Sequence, residues 1–316
     1  MPELGRPVAP LARLLHLKRV PMLAGLPNAE VAVLADAAVE RAFTAGAVVL
    51  QEGEPAGAAQ IVVRGTLATR RRGVTVGRTG PGGAVGALAL FSREPLASEV
   101  VAEEDSLTLE LEADALGEVL EDRFPILHHI LRETSQRAVE LLVRLKLDPA
   151  AGLPVPQPDS PGTPGSGDID LVDRILFLRR MAVFRRSSIT ALAELGRAMA
   201  QVRFEPGTSL WREGEPGPAI FLLRSGSVSA RSAGGVAFRA SAGFPLGALE
   251  ALGELPRWYE AVTETPVVAL QGHMGALIDV FEDSYDVALD YLSVVSQSTL
   301  RFADWGAARG EPAALP

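Results

Sequence analysis

The 316-residue sequence contains no cysteine. Disulfides, thiolate nucleophiles, cysteine-ligated zinc and iron–sulfur clusters are therefore excluded. Lysine is scarce. Lys18 and Lys146 are joined by arginines alone, a bias that fits the codon usage of a GC-rich bacterial genome better than a function. No apolar run approaches the ~18 residues of a membrane span. The opening Met1-Pro2-Glu3-Leu4-Gly5-Arg6-Pro7 lacks the charged-then-apolar order of a signal peptide, so the chain reads as cytoplasmic, without membrane insertion. Positive charge is also short: 30 Lys and Arg stand against 39 Asp and Glu, a net −9, and the pI is near 5.1. A nucleic-acid partner needs the opposite balance. Histidines are few. His16 and His273 have no ligand-type neighbour at metal spacing, and His128-His129 diverge by about 100° on a helix, so no metal site is expected. There is no G-x-S-x-G, H-E-x-x-H or G-K-[ST], and no nucleophile paired with a base. The sequence does not read as an enzyme, and no catalytic residue is nominated.

What the sequence does have is a repeat. Phe43-x-x-Gly46 recurs as Phe204-x-x-Gly207, Glu52-Gly53-Glu54-Pro55 as Glu213-Gly214-Glu215-Pro216, and Gly65 as Gly226. Gly86-Ala87-Leu88 returns as Gly247-Ala248-Leu249 and Pro95 as Pro256, each pair 161 residues apart. The same offset holds from Leu15/Leu176 to Gln136/Gln297 without a gap. This is one domain duplicated. The expected organisation is a disordered tail over 1–10, a first domain over 11–147, a linker over 148–170, a second domain over 171–305 and a disordered tail over 306–316. The linker is rich in Pro, Gly and Ser, which cannot bury enough apolar surface to order themselves.

Within each copy the pattern runs helix, strands, helix. Apolar residues fall at helical spacing over Leu11–Val20 and Ala29–Arg41, broken by Pro21 and Pro27. Short β-branched runs follow, namely Val48–Leu50, Gln60–Val63, Val74–Val76, Glu99–Val101 and Leu107–Leu111, cut by glycines. Helical spacing returns over Ala113–Asp122 and beyond Phe124-Pro125. The fold class is mainly β with flanking helices: two tandem jelly-roll-like β-rolls, or double-stranded β-helices, each with an N-terminal helical segment and C-terminal helices.

This punctuation resembles the cyclic nucleotide-binding domain superfamily, in tandem. The turn after Phe43-x-x-Gly46, the Glu52-Gly53-Glu54 turn, the strand ending at Gly65, and the run from Pro81 to Leu90 carry the resemblance. That run resembles the family's phosphate-binding cassette: glycine, glutamate, leucine, a small residue, a short helix, then arginine and two small residues. The resemblance implies a short helix whose N–H groups and dipole face a cyclic phosphate, an arginine fork on the same phosphate, and a glutamate on the ribose 2′-hydroxyl. Carried over by position, both cassettes are degenerate. The first copy keeps Gly86 and Leu88, but Ala87 stands for the glutamate and Leu96 for the arginine, before small Ala97 and Ser98. The second keeps Gly247, Leu249 and Arg257, but Ala248 replaces the glutamate, and Trp258 and Tyr259 fill the small sites.

Several residues admit two readings. Arg257 is either a solvated arginine at a helix end or a cation for a ligand. Trp258-Tyr259 either close the roll by packing or form a plug or stacking lid over a base. Arg70-Arg71-Arg72 fit an exposed hairpin tip better than an anion patch, since neighbours on a strand face opposite ways, and Glu103-Glu104-Asp105 fit a solvated turn. The function expected is a non-enzymatic regulatory or scaffold protein working through protein–protein contacts, with no nucleic acid, a protein partner and scope for a homo-oligomer. The alternative is a sensor whose second copy binds a cyclic nucleotide (cAMP or cGMP) or another anion; no other cofactor is implied.

Overall fold

A computed structural model of the chain describes residues 7–152 and 168–310. The first copy opens with α1 (Pro10–Lys18) and α2 (Asn28–Ala37). Eight strands follow: β1 (Val39–Phe43), β2 (Val48–Leu50), β3 (Ala58–Arg64), β4 (Leu67–Arg71), β5 (Val74–Thr79), β6 (Ala84–Val85), β7 (Glu99–Ala102) and β8 (Ser106–Glu112). The short α3 (Ala87–Ser92) interrupts them between β6 and β7, and α4 (Ala113–Asp122) and α5 (Phe124–Arg144) close the copy. After a helical turn α6 (Pro149–Gly152), the second copy begins with α7 (Leu171–Arg180) and α8 (Ile189–Ala198). Its strands are β9 (Ala200–Phe204), β10 (Ser209–Trp211), β11 (Ala219–Ser225), β12 (Val228–Arg231), β13 (Ala237–Ala240), β14 (Pro245–Leu246), β15 (Glu260–Thr263) and β16 (Val267–His273). A short α9 (Ala248–Leu252) sits between β14 and β15, followed by α10 (Met274–Asp283) and α11 (Tyr285–Ala308).

Both copies are antiparallel two-sheet rolls of the same topology. The first pairs β1-β8-β3-β6 and β2-β7-β4-β5; the second pairs β9-β16-β11-β14 and β10-β15-β12-β13. Even the irregularities repeat. The ladder slips between Val62 and Arg64 and between Leu223 and Ser225, at equivalent positions. Directly after each slip comes a glycine at positive φ, Gly65 (88°) and Gly226 (86°). A Cβ there would lie 2.2 Å from Ser106 Oγ or 2.3 Å from the Pro266 carbonyl oxygen, so only glycine can turn the chain so close to its neighbour.

The two cores differ in kind. The first roll is filled by aliphatic side chains, among them Leu50, Val62, Leu67, Val85 and Val100. The second is aromatic, with Trp211, Phe221, Phe238, Phe244 and Tyr259 in contact. The described chain divides into two compact units, one ending at Ile130 and taking in the chain from Ala307, the other running from Leu131 to Gly306. The division falls inside α5.

Several sequence expectations are corrected. The helix expected over Ala29–Arg41 stops at Ala37, and Val39–Phe43 form a strand paired along β8. Arg41 lies on that strand, ion-paired to Glu110 and Glu112 across the ladder. The tail expected over 1–10 is held from Val8, whose N–H donates to Glu40, and α1 starts at Pro10. Of the tail expected over 306–316, the first residues are helical, since α11 continues to Ala308, and 311–316 lie outside the described residues. Within the 148–170 segment, Pro149–Gly152 are helical; a Cβ on Gly152 would meet the Phe302 ring at 2.1 Å. The rest of that segment up to residue 167 lies outside the described residues. Arg70 and Arg71 end β4, and Arg72 (φ 51°) and Gly73 (φ 76°) make the two-residue turn into β5, the hairpin tip expected, since paired positive φ values are what such tight turns demand.

Candidate functional site

Each cassette is launched by a glycine. Gly86 (φ 85°) and Gly247 (φ 81°) sit in the left-handed region just before α3 and α9. In the first copy a Cβ at Gly86 would meet the Ala58 carbonyl oxygen at 2.9 Å; in the second, a Cβ at Gly247 would meet Arg257 Nη1 at 2.6 Å. The same turn thus abuts backbone in both copies, beside the Leu50 side chain in the first and Arg257 in the second.

Arg257 is not solvated. It is 2% exposed, which corrects the helix-end reading. Its Nη1 donates to the Gly247 carbonyl at 2.9 Å and its Nη2 to the Ala219 carbonyl. Its Cζ lies 4.2 Å from the Trp211 ring centroid, a stacking geometry that attracts a guanidinium to the negative ring face. The Glu250 carboxylate, on α9, stands 3.7 Å from Nη1. The Tyr259 hydroxyl accepts from the Gly247 N–H at 3.3 Å and donates to Glu250. Burial pushes the Glu250 carboxyl up from its ordinary range, with Arg257 and Tyr259 opposing. The same burial, reinforced by Glu250, pushes the Tyr259 hydroxyl up.

The two aromatics lie among other rings of the roll. Tyr259 is buried and edge-on to Trp258, Phe238 and Trp211 at 4.8, 5.0 and 5.6 Å. Its carbonyl accepts from Trp211 Nε1 at 2.9 Å. Trp258 stacks on Phe238. Tyr259 is part of the buried core and Trp258 packs, half-buried, against it. Ala248 and Leu249 are buried with them.

In the first copy the equivalent positions are small or aliphatic: Leu50 for Trp211, Gln60 for Phe221, Ala89 for Glu250, Leu96 for Arg257 and Ser98 for Tyr259. Leu96 packs onto the aliphatic core and Leu88 is buried, while Ala87 and Ser98 are half-buried and Ala97 is exposed. Where the second copy is filled, the first has a cavity of about 740 Å³, lined by Leu50, Leu96, Glu54, Gln60, Glu110 and other residues of the same face. A guanidinium does reach this cassette, from a place sequence reasoning missed. Arg71, at the end of β4, sets its Nε 3.3 Å from both the Ala97 carbonyl oxygen and Ser98 Oγ. The signal was the Arg70–Arg72 run, which sequence pattern alone assigns to a hairpin tip.

His128 stacks on Phe124 and His129 is buried. Among the described residues no three His, Cys, Asp or Glu side chains gather as a metal requires, and no helix is long and apolar enough to cross a membrane.

Comparison with known proteins agrees with this architecture. The model of the cyclic nucleotide-binding domain matches twice, over residues 40–123 and 201–284, together more than half of the chain. No curated protein matches the chain. Among solved structures it is similar to the regulatory domain of Toxoplasma gondii PKA with cAMP, at 19% identity over 90% of this chain and 95% of that one, with a TM-score of 0.35. It is similar to the regulatory subunit of a cAMP-independent protein kinase A from Trypanosoma cruzi bound to guanosine, at 16% identity over 98% and 95%, TM-score 0.35. It is also similar to the N-terminal domain of a transcriptional regulator from Streptomyces coelicolor A3(2), at 25% identity over 40% and 93%, TM-score 0.38. The two matched stretches coincide with the two rolls and their shared turns, and the chain belongs to the cyclic nucleotide-binding domain family, whose domain it carries twice.

Proposed function

We propose that this chain is a non-enzymatic, cytoplasmic regulatory or scaffold protein that acts through protein–protein contacts and not through cyclic-nucleotide occupancy. The observation that carries this reading is the commitment of Arg257. A cyclic phosphate needs a cation open to the pocket, and this guanidinium is buried, held by two carbonyls and packed against an indole face and a carboxylate. In the first copy, Leu96 stands at the arginine position, and both copies have alanine at the glutamate position. Each hydrogen bond to a charged group contributes about 1.5–3 kcal/mol, and each 1.4 kcal/mol is about tenfold in affinity. Losing both contacts moves a micromolar ligand to the millimolar range. The residues present do not fit the family's ligand.

Protein contact has support of its own. Leu11 and Leu15 on α1 are 69% and 52% exposed, and Val172 and Leu176, their repeat equivalents on α7, 62% and 54%. An exposed i, i+4 apolar pair on the same helix of both copies suits a partner surface, a second copy of the chain included.

The second reading, an anion sensor, draws support from Arg71 beside Ser98 in the first copy. Calorimetric titration with cAMP, cGMP and cyclic dinucleotides separates the two. The scaffold reading expects no saturable binding below about 10 μM. Saturable binding lost on Arg71→Ala or on Arg257→Ala establishes the sensor instead and names the copy responsible.

A further inference from the structure

We propose that the second copy carries its own anion: the Glu250 carboxylate is the built-in counter-ion of Arg257 and holds the cassette shut without a ligand. The proposal rests on the reading that this cassette takes no cyclic nucleotide in the native chain, and supplies its cause.

An arginine keeps its charge at every pH a folded protein meets. Buried at 2% exposure, it needs a full negative charge nearby, because an uncompensated buried cation is among the costliest features a fold can hold. The Gly247 and Ala219 carbonyls and the Trp211 face supply only partial charge. Among the described residues, the carboxylate in ion-pair range is Glu250, itself 2% exposed. It stands two residues after Ala248, where the family pattern has its glutamate. A two-residue shift turns a side chain by about 200° around a helix, which is how this carboxylate comes to face Arg257.

The repeat gives a second line of argument. At the equivalent positions the first copy has Ala89 and Leu96. One copy holds both charges and the other neither, as expected of a pair whose members are each damaging alone. The pairing is also imperfect. At 3.7 Å the two groups attract without a hydrogen bond, and Glu250 Oε1 and Arg257 Nε are buried with no hydrogen-bond partner. Shortening Glu250 to alanine leaves a small dry space beside a guanidinium with a donor to spare, the chemistry of a site for a planar monovalent carboxylate. The lock reaches outward as well. α9 ends at Gly253, whose carbonyl accepts from Gln136 Nε2 at 2.8 Å, so the segment held by Glu250 is also the seat of the α5 turn at Gln136.

The test uses the full chain, its Glu250→Ala variant, and the double variant Glu250→Ala/Arg257→Leu, which carries the first copy's residues at both positions. Thermal midpoints are read in sodium formate and in sodium chloride at equal ionic strength. Glu250→Ala is expected to lower the midpoint by the order of 10 °C. Formate restores about half or more of that loss, while chloride does not, and the native chain and the double variant do not respond to formate. Formate acting no better than chloride on Glu250→Ala overturns the proposal, as does a double variant no more stable than the single one. Recovery of folded Glu250→Ala only when formate is present supports it; failure to fold even in formate, while the double variant folds, overturns it. Should neither variant fold, Arg257→Leu alone decides: a deficit against the native chain that is larger at pH 8 than at pH 5 supports the pairing, and a deficit independent of pH overturns it. Binding of cAMP by the native chain would reject the proposed function and leave the formate result standing, so the two failures are distinguishable.

Discussion

The Arg257 guanidinium lies over the Trp211 indole, 4.2 Å from Cζ to ring centroid, and at the same repeat positions the first copy has Leu96 and Leu50. One fold has been filled in two ways, by a cation on an aromatic and by two leucines beside a cavity of about 740 Å³. The exchange of side chains between copies should therefore be asymmetric. Trp211→Leu removes buried aromatic volume and the cation–π contact, and is expected to destabilise the second unit by about 2–4 kcal/mol. Leu50→Trp has the cavity to enter and is expected to shift stability by less than about 1 kcal/mol. Urea unfolding of the two variants checks this, and an equal loss in both contradicts it.

The Glu250 carboxyl predicts a pH dependence with a definite sign. Burial raises it above its ordinary 4.5, and Arg257 and Tyr259 pull it back; Tyr291 also senses its charge. A carboxyl raised by folding contributes stability that is fully present below its unfolded pKa and is lost as pH climbs through the folded one. Arg257→Leu removes the opposing cation, lifts the carboxyl further and deepens that loss. The deficit of Arg257→Leu relative to the native chain is thus expected to be larger at pH 8 than at pH 5, growing by up to about 1.4 kcal/mol per pH unit within the titration window. Urea midpoints at the two pH values measure it. A deficit independent of pH rules it out.

Glycines with the same backbone angle should differ in sensitivity. Gly226 (φ 86°) would drive a Cβ to 2.3 Å from the Pro266 carbonyl oxygen, whereas Gly207 (φ 80°) has open space around it. Gly207→Ala pays for the left-handed backbone alone, about 1 kcal/mol. Gly226→Ala adds a collision with backbone that cannot swing away, and a loss of at least about 3 kcal/mol is expected. Chemical denaturation of both variants at one temperature gives the comparison, and similar losses would place the strain in φ alone.

How much of this was legible in the sequence follows from which interactions are local. The repeat, the cassette glycines and most strands are written in spacing and turn chemistry, so Gly65, Gly86 and their partners at Gly226 and Gly247 stand out unaided. The end of α2 was not legible, because Val39–Phe43 has helical spacing and becomes a strand only through its ladder with β8. Arg257 was legible as a position but not as a state. Its burial depends on Trp211, Ala219 and Gly247, which reach it through strand pairing and not through sequence proximity. Glu250 carried no signal, since it sits outside the family's cassette pattern and becomes meaningful only once the chain brings Arg257 beside it. Arg71 was hidden by its neighbours for the same reason.

A polar chain behind the first copy's cavity offers the sharpest exchange between repeats. Arg41 Nε donates to Glu110 at 2.7 Å, Gln60 Nε2 donates to Glu110 Oε2 at 2.6 Å, and Thr108 Oγ1 donates to Gln60 Oε1 at 2.6 Å. Gln60 and Thr108 are 1% and 0% exposed, so the buried Thr108 hydroxyl relies on Gln60 for this hydrogen bond while Gln60 is held by both Thr108 and Glu110. The second copy has Phe221, Ala269 and Gln271 at these positions, and there Phe221 packs against Trp211 and Phe204. Gln60→Phe alone strands the Thr108 hydroxyl and removes a donor from Glu110; a loss of about 2–3 kcal/mol is expected. Adding Thr108→Ala and Glu110→Gln gives these three positions the second copy's residues, removes the stranded hydroxyl, and is expected to recover most of that loss, because replacing both members of a buried pair is far cheaper than removing one. Urea unfolding of the single and triple variants decides between coupled and independent sites: a triple variant as unstable as the sum of its parts would show that these three residues do not act as one network.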